Sequence, residues 1–165
     1  MYQVGEYVMY GVQGICRVLG KEKQLVNRKR IEYLVLEPLT KGESKFYLPV
    51  QNPVAMDKLQ PLLSAQELTE LVNTELIRMD CWVAEENLRK QRYRDLLTGG
   101  DRASIMQMLR SLYRYMDELT ASGKKLHQCD ENFQRDAEKL LCSEISLVMD
   151  LEPELAKAYL RSHLQ

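Results

Sequence analysis

The chain has 165 residues, 45% apolar and 28% charged, with a formal net charge of -1 at pH 7. That is enough for one ordinary domain or two small ones. No apolar run approaches the roughly 20 residues that span a bilayer. The opening Met1-Tyr2-Gln3-Val4-Gly5-Glu6 lacks the basic segment and hydrophobic stretch of a secretory signal, so a cytoplasmic protein with no membrane contact is expected. The four cysteines, Cys16, Cys81, Cys129 and Cys142, form no Cys-x-x-Cys pair, and only His127 and His163 could assist them. Reduced, partly buried thiols are therefore expected, with neither metal nor cofactor.

The first half reads as strands. Tyr7-Val8-Met9-Tyr10, Ile15-Cys16-Arg17-Val18-Leu19, Ile31-Glu32-Tyr33-Leu34-Val35-Leu36 and Lys45-Phe46-Tyr47-Leu48-Pro49-Val50 are short β-branched and aromatic runs. Gly, Asn, Lys and Pro punctuate them. Strands this closely spaced predict a small SH3/Tudor-like β-barrel module over residues 1–63. Pro53 and Pro61 mark the approach to its end.

From Ser64 the period becomes helical, which makes the whole an α+β protein with an all-α domain over residues 64–165. Ser64-Ala65-Gln66-Glu67 has the pattern of a capping box, and Leu68, Leu71, Val72 and Ile77 continue one helix. A second helix is expected from near Asp80 to Leu97, stopped by Thr98-Gly99-Gly100. Asp101 caps a third, with Ile105, Met108, Leu109, Leu112, Tyr113 and Met116 as its apolar stripe. After the break at Ser122-Gly123, a fourth starts at about Asp130, and a short fifth runs from Glu154 to Leu160 behind Pro153.

Motifs for catalysis are missing. There is no Gly-rich phosphate loop, Gly-x-Ser-x-Gly elbow or His-Glu-x-x-His pair. His127 and Cys129 are alternate residues, which do not face each other on a helix. Glu85, Glu86, Asp130 and Glu131 read as solvated charge at helix starts. Met106, Met108, Met116, Tyr93, Tyr113 and Tyr115 read as core packing, with a ligand pocket as the alternative. No enzyme is expected.

Charge is more informative. Residues 89–114 hold seven basic and two acidic side chains on a chain whose net charge is only -1. Arg89, Lys90, Arg92 and Arg94 follow Trp82, the only tryptophan. Four cations in this spacing cannot share one face: Arg89 and Arg92 fall on one side, Lys90 and Arg94 on another. They offer a limited phosphate contact or, alternatively, an ordinary solvated surface.

The order of parts resembles the CarD/CdnL family of bacterial transcription regulators. The family opening, Gly-acid-x-Val-x-Tyr-Pro-x-His-Gly-Val-Gly, is similar to Gly5-Glu6-Tyr7-Val8-Met9-Tyr10-Gly11-Val12-Gln13-Gly14-Ile15-Cys16. Glu32-Tyr33-Leu34-Val35-Leu36 and Leu48-Pro49-Val50 also fit. In the second half, so do Trp82, Leu88-Arg89-Lys90-Gln91-Arg92-Tyr93-Arg94, Leu97-Thr98-Gly99-Gly100-Asp101-Arg102, Gly123-Lys124-Lys125 and Ala137-Glu138-Lys139-Leu140-Leu141.

The resemblance implies a non-enzymatic protein whose β-module holds a lobe of the RNA polymerase β subunit. It places Gln24 and Val26 on the edge strand and Tyr47 on its neighbour as polymerase-facing residues. It implies that the helical domain reaches promoter DNA at the upstream edge of the bubble, with Trp82 as a wedge and Arg89, Lys90, Arg92 and Arg94 on phosphate, so that the open complex lives longer. The family often has arginine at the positions of Gln24 and Tyr47, and directly after the tryptophan, where Val83-Ala84-Glu85-Glu86 stands here. Two rivals remain: an interaction module that holds polymerase or another partner without touching DNA, and a small enzyme or ligand sensor built on the Met/Tyr-rich helices.

Overall fold

Asn27 and Arg28, both at positive φ, turn the chain back on itself between two long strands. Two such residues in succession make the tight hairpin turn whose twist matches that of the flanking strands. The computed structural model describes residues 2–99 and 101–165, apart from the Val12 side chain, and divides the chain into two compact units, Met1–Leu62 and Leu63–Gln165.

In the first unit, β1 (Tyr7–Tyr10), β2 (Ile15–Val26), β3 (Lys29–Pro38), β4 (Phe46–Pro49) and β5 (Leu59–Pro61) form one antiparallel sheet. Their order is β4-β3-β2-β1-β5. A short helix, α1 (Pro53–Met56), links β4 to β5, and the Asn52 side chain accepts hydrogen bonds from Val54 N and Ala55 N at its start. Val8, Cys16, Val18, Leu34, Leu36, Leu48 and Leu59 form the core, with Tyr10 and Phe46 packed edge-on beside it. The period-two alternation of the strands creates this core face. The pairing slips between Val18 and Gly20, and a bulge there resets the alternation for the rest of β2.

The second unit holds α2 (Ala65–Val72), α3 (Glu75–Arg78), α4 (Glu86–Gly99), α5 (Arg102–Ala121), α6 (Gln128–Met149) and α7 (Pro153–Leu164). The α+β class, strands first and helices after, is therefore what the chain adopts. The Ser64–Glu67 box is reciprocal: Glu67 N donates to Ser64 Oγ at 3.1 Å and Ser64 N to Glu67 Oε2 at 2.7 Å. Asp101 caps α5 through Ala103 N at 3.1 Å. Gly100, expected in the stop between α4 and α5, lies outside the described residues.

Several helix boundaries differ from the sequence reading. The helix through Ile77 is broken, because Asn73 and Thr74 turn their side chains onto the carbonyls of Thr69 and Glu70. The helix expected from Asp80 starts at Glu86 instead. Residues 80–85 are a loop, since Asp80 accepts Trp82 N, Ser111 Oγ accepts Cys81 N, and the Glu85 carboxylate takes the amides of Asn87 and Leu88. A carboxylate on the first free amides is a natural helix start. The last two helices are longer than expected, with α6 beginning at Gln128 and α7 reaching Leu164.

Candidate functional site

Beyond the bulge, alternation places Gln24 and Val26 of β2 on one face with their cross-strand partners Ile31 and Lys29. Tyr33, opposite Glu22, shares that face, and so does Tyr47, opposite Val35 on β4. The Tyr33 and Tyr47 rings meet edge-on, 6.4 Å between centroids. Gln24, Val26 and Tyr47 therefore lie on a single side of the sheet, opposite the core. Val26 is 37% and Tyr47 45% exposed.

One detail of the expectation changes. β2 is internal in the strand order, Tyr47 sits on the edge strand β4, and β3 lies between them, so the two strands are not neighbours. The hairpin nevertheless outruns its neighbour, because β1 pairs only with Ile15–Arg17. Residues 22–26 have β3 on one side, and no strand among the described residues pairs with the other. In a two-residue hairpin the closing pair, here Val26 and Lys29, exchanges the hydrogen bonds. The backbone groups of Lys23 and Leu25 thus point to the open side, beside a Leu25 side chain that is 72% exposed.

In the helical unit, Arg89 is not a surface cation. Its Nε donates to Asp130 Oδ1 at 2.9 Å and its Nη2 to Asp130 Oδ2 at 2.8 Å. Nη1 donates to the carbonyls of Val83 and Ala84. The side chains of Arg89 and Asp130 are 3% and 0% exposed. Burial disfavours the Arg89 charge, and the Asp130 carboxylate outweighs this, holding Arg89 above the usual arginine value. Arg89 is therefore corrected from a phosphate contact to an internal brace, and Asp130 from solvated helix-end charge to its partner.

Trp82 belongs to the same assembly. It lies in the loop ahead of α4, half-buried, stacked on Tyr115 with 3.7 Å between centroids and an interplanar angle of 24°. The Arg89 guanidinium lies over the ring at 4.3 Å. The ring thus has an intramolecular stacking partner and an intramolecular cation, both supplied by elements of its own unit.

The remaining basic residues of α4 do not form one face. Lys90 and Arg94 share one flank and Arg92 lies on the other, separated by the inward line of Arg89, Tyr93 and Leu97. Lys90 pairs with Glu86 at 2.9 Å. Arg92 and Arg94 are exposed. A second cationic group was not singled out from the sequence: Arg110 and Arg114, one turn apart on α5, together with Arg78 at the end of α3. Arg110 Nη1 donates to Arg78 O at 2.9 Å, while its buried Nε has no hydrogen-bond partner. Burial first, then Arg114 and Arg78, hold Arg110 below the usual arginine value. The i, i+4 spacing of Arg110 and Arg114 was visible, but the approach of Arg78 required the α3–α5 packing.

All four cysteines are free, and burial raises Cys16 and Cys142 to about 11. Thiols so shifted are poor nucleophiles at neutral pH. Tyr93, Tyr113, Met106 and Met108 are buried in the core. Among the described residues, no three His, Cys, Asp or Glu side chains gather as a metal site, and no helix is long and apolar enough to cross a membrane.

Residues 2–61 match the family model of the CarD-like/TRCF RID domain, a Tudor-like, non-enzymatic interaction domain. The match spans the strand-built unit, residues 2–61 of 165, and supports a transcription-related protein that interacts with RNA polymerase. No curated protein matches the chain.

Proposed function

We propose that this chain, whose residues 2–61 form a CarD-like/TRCF RID domain, binds the β subunit of bacterial RNA polymerase through that domain and regulates transcription from the complex. The observation that carries the reading is the shared side of Gln24, Val26 and Tyr47, opposite the core and with Val26 and Tyr47 exposed, beside the unpaired stretch of β2. An extended partner segment would pair with the open backbone, and the side chains on the face would set specificity. The helical unit would then contact promoter DNA at the upstream fork and lengthen the life of the open complex. Arg92, Arg94 and Lys90 are its phosphate-facing candidates, with the rim of Trp82 against the bases.

A second reading has its own observation. Trp82 is already engaged by Tyr115 and Arg89, which favours a module that holds polymerase without touching DNA. Open-complex lifetime with the R92Q/R94Q variant separates the two. A shortened lifetime at unchanged polymerase affinity supports the DNA contact, and an unchanged lifetime supports the second reading. Loss of all effect of the wild-type chain on polymerase would refute both.

A further inference from the structure

Within the helical unit, a cavity of about 390 Å3 opens between the end of α5, the α5–α6 turn, α6 and α7. That places it at the lower end of the roughly 300–1,000 Å3 typical of small-ligand sites. Its charge is one-sided, for five basic and two acidic side chains line it.

One acid is already spent. Glu138 accepts from Tyr113 Oη at 2.5 Å and pairs with Arg161 at 3.3 Å and Lys157 at 3.6 Å. The other cations are less well compensated. Lys124 and Lys125 enter from the exposed turn with no ion pair among the described residues, and Arg135 donates only to the neutral Asn132 side chain. Arg161 keeps a buried Nε that has no hydrogen-bond partner. A buried, unsatisfied guanidinium donor costs free energy unless something accepts from it. The floor is supplied by Met116 and Leu126, and no aromatic side chain lines the cavity to stack on a base.

We propose that this cavity binds a compact oligophosphate group, recognised by Lys124, Lys125, Arg135 and Arg161 through its phosphate oxygens. Guanidinium forks suit phosphate geometry, and mobile ammonium groups adjust to adjacent charges. With no base-stacking surface, free tripolyphosphate and the triphosphate of ATP bind alike. The site does not depend on the polymerase reading.

Calorimetric titration of the full chain at ~150 mM salt, where surface charge is largely screened, tests this. The expected result is saturable one-to-one binding of tripolyphosphate and of ATP, with sulfate weaker by about tenfold or more. The K124Q/K125Q variant, altered only in the exposed turn, should lose at least about tenfold in affinity for each oligophosphate, since a single lost charge-assisted hydrogen bond already has that scale and two are removed. Its melting temperature without ligand should stay unchanged, and R92Q/R94Q should bind oligophosphate as the wild type does. Absence of saturable binding, binding indifferent to K124Q/K125Q, or equal binding of sulfate would overturn the proposal. So would a loss confined to duplex DNA, which would make these lysines part of a DNA surface instead.

Discussion

Replacing Asp130 with alanine should be among the most damaging single changes in the helical unit. The substitution removes both acceptors of a two-pronged ion pair whose bonds measure 2.9 and 2.8 Å, and it leaves Arg89 charged at 3% exposure. Breaking one side of a buried pair costs about 3–5 kcal/mol, most of it the penalty of the stranded charge. Two carbonyl contacts, from Val83 and Ala84, still reach Nη1, so the lower half of that range is expected. At about 4 °C per kcal/mol for a unit of this size, thermal unfolding should move down by ~12–16 °C. Circular dichroism at the helical minimum, with chemical denaturation alongside, measures it. Exchanging both partners for apolar residues, Arg89→Met with Asp130→Leu, should recover much of the loss, because two well-packed apolar groups replace the pair without a desolvation penalty. A D130A variant that melts within ~2 °C of wild type would refute the brace, and Arg89 would return to the pool of DNA-facing cations.

Other expectations follow from the same unit. Trp82→Ala should cost about 2 kcal/mol, less than the roughly 3–5 kcal/mol of a fully buried aromatic, because the ring is half-buried but loses its stack on Tyr115; denaturant titration measures this, and a loss below ~0.5 kcal/mol would mean the stack contributes nothing. Burial works against the Glu138 charge, yet Tyr113, Lys157 and Arg161 hold its carboxyl below the usual value of 4.5. A lowered folded value means its stabilising contribution is complete above the unfolded value and disappears as pH falls through the folded one. Stability should therefore drop more steeply below pH ~4.5 in the wild type than in E138Q, and superimposable acid limbs would contradict the network.

Much of the fold was legible because its signals are local. The Ser64–Glu67 box and the Asp101 cap each satisfy backbone groups within a few residues. What the sequence concealed depends on partners far along the chain. Arg89 looked like one of four similar cations, and only Asp130, 41 residues away, separates it from Lys90, Arg92 and Arg94. The loop over residues 80–85 looked helical because its fate is set by Ser111, 30 residues downstream of Cys81. The face holding Gln24, Val26 and Tyr47 depends on a one-residue bulge near Gly20, which sets the side to which every later residue of β2 points. Their position followed from the family resemblance, and their common side from the register.

The most direct test of polymerase binding is the affinity of the full chain for purified polymerase β subunit, compared between wild type and V26E/Y47A. Both side chains are exposed and lie opposite the core, so melting should be unchanged within the ~0.5 kcal/mol usual for surface substitutions. Affinity should fall by about tenfold or more, since truncating an aromatic contact and placing a charge in a strand-pairing interface each cost on the order of 1–2 kcal/mol. Undiminished binding by the variant, with the wild-type chain binding well, would contradict the assignment of this face.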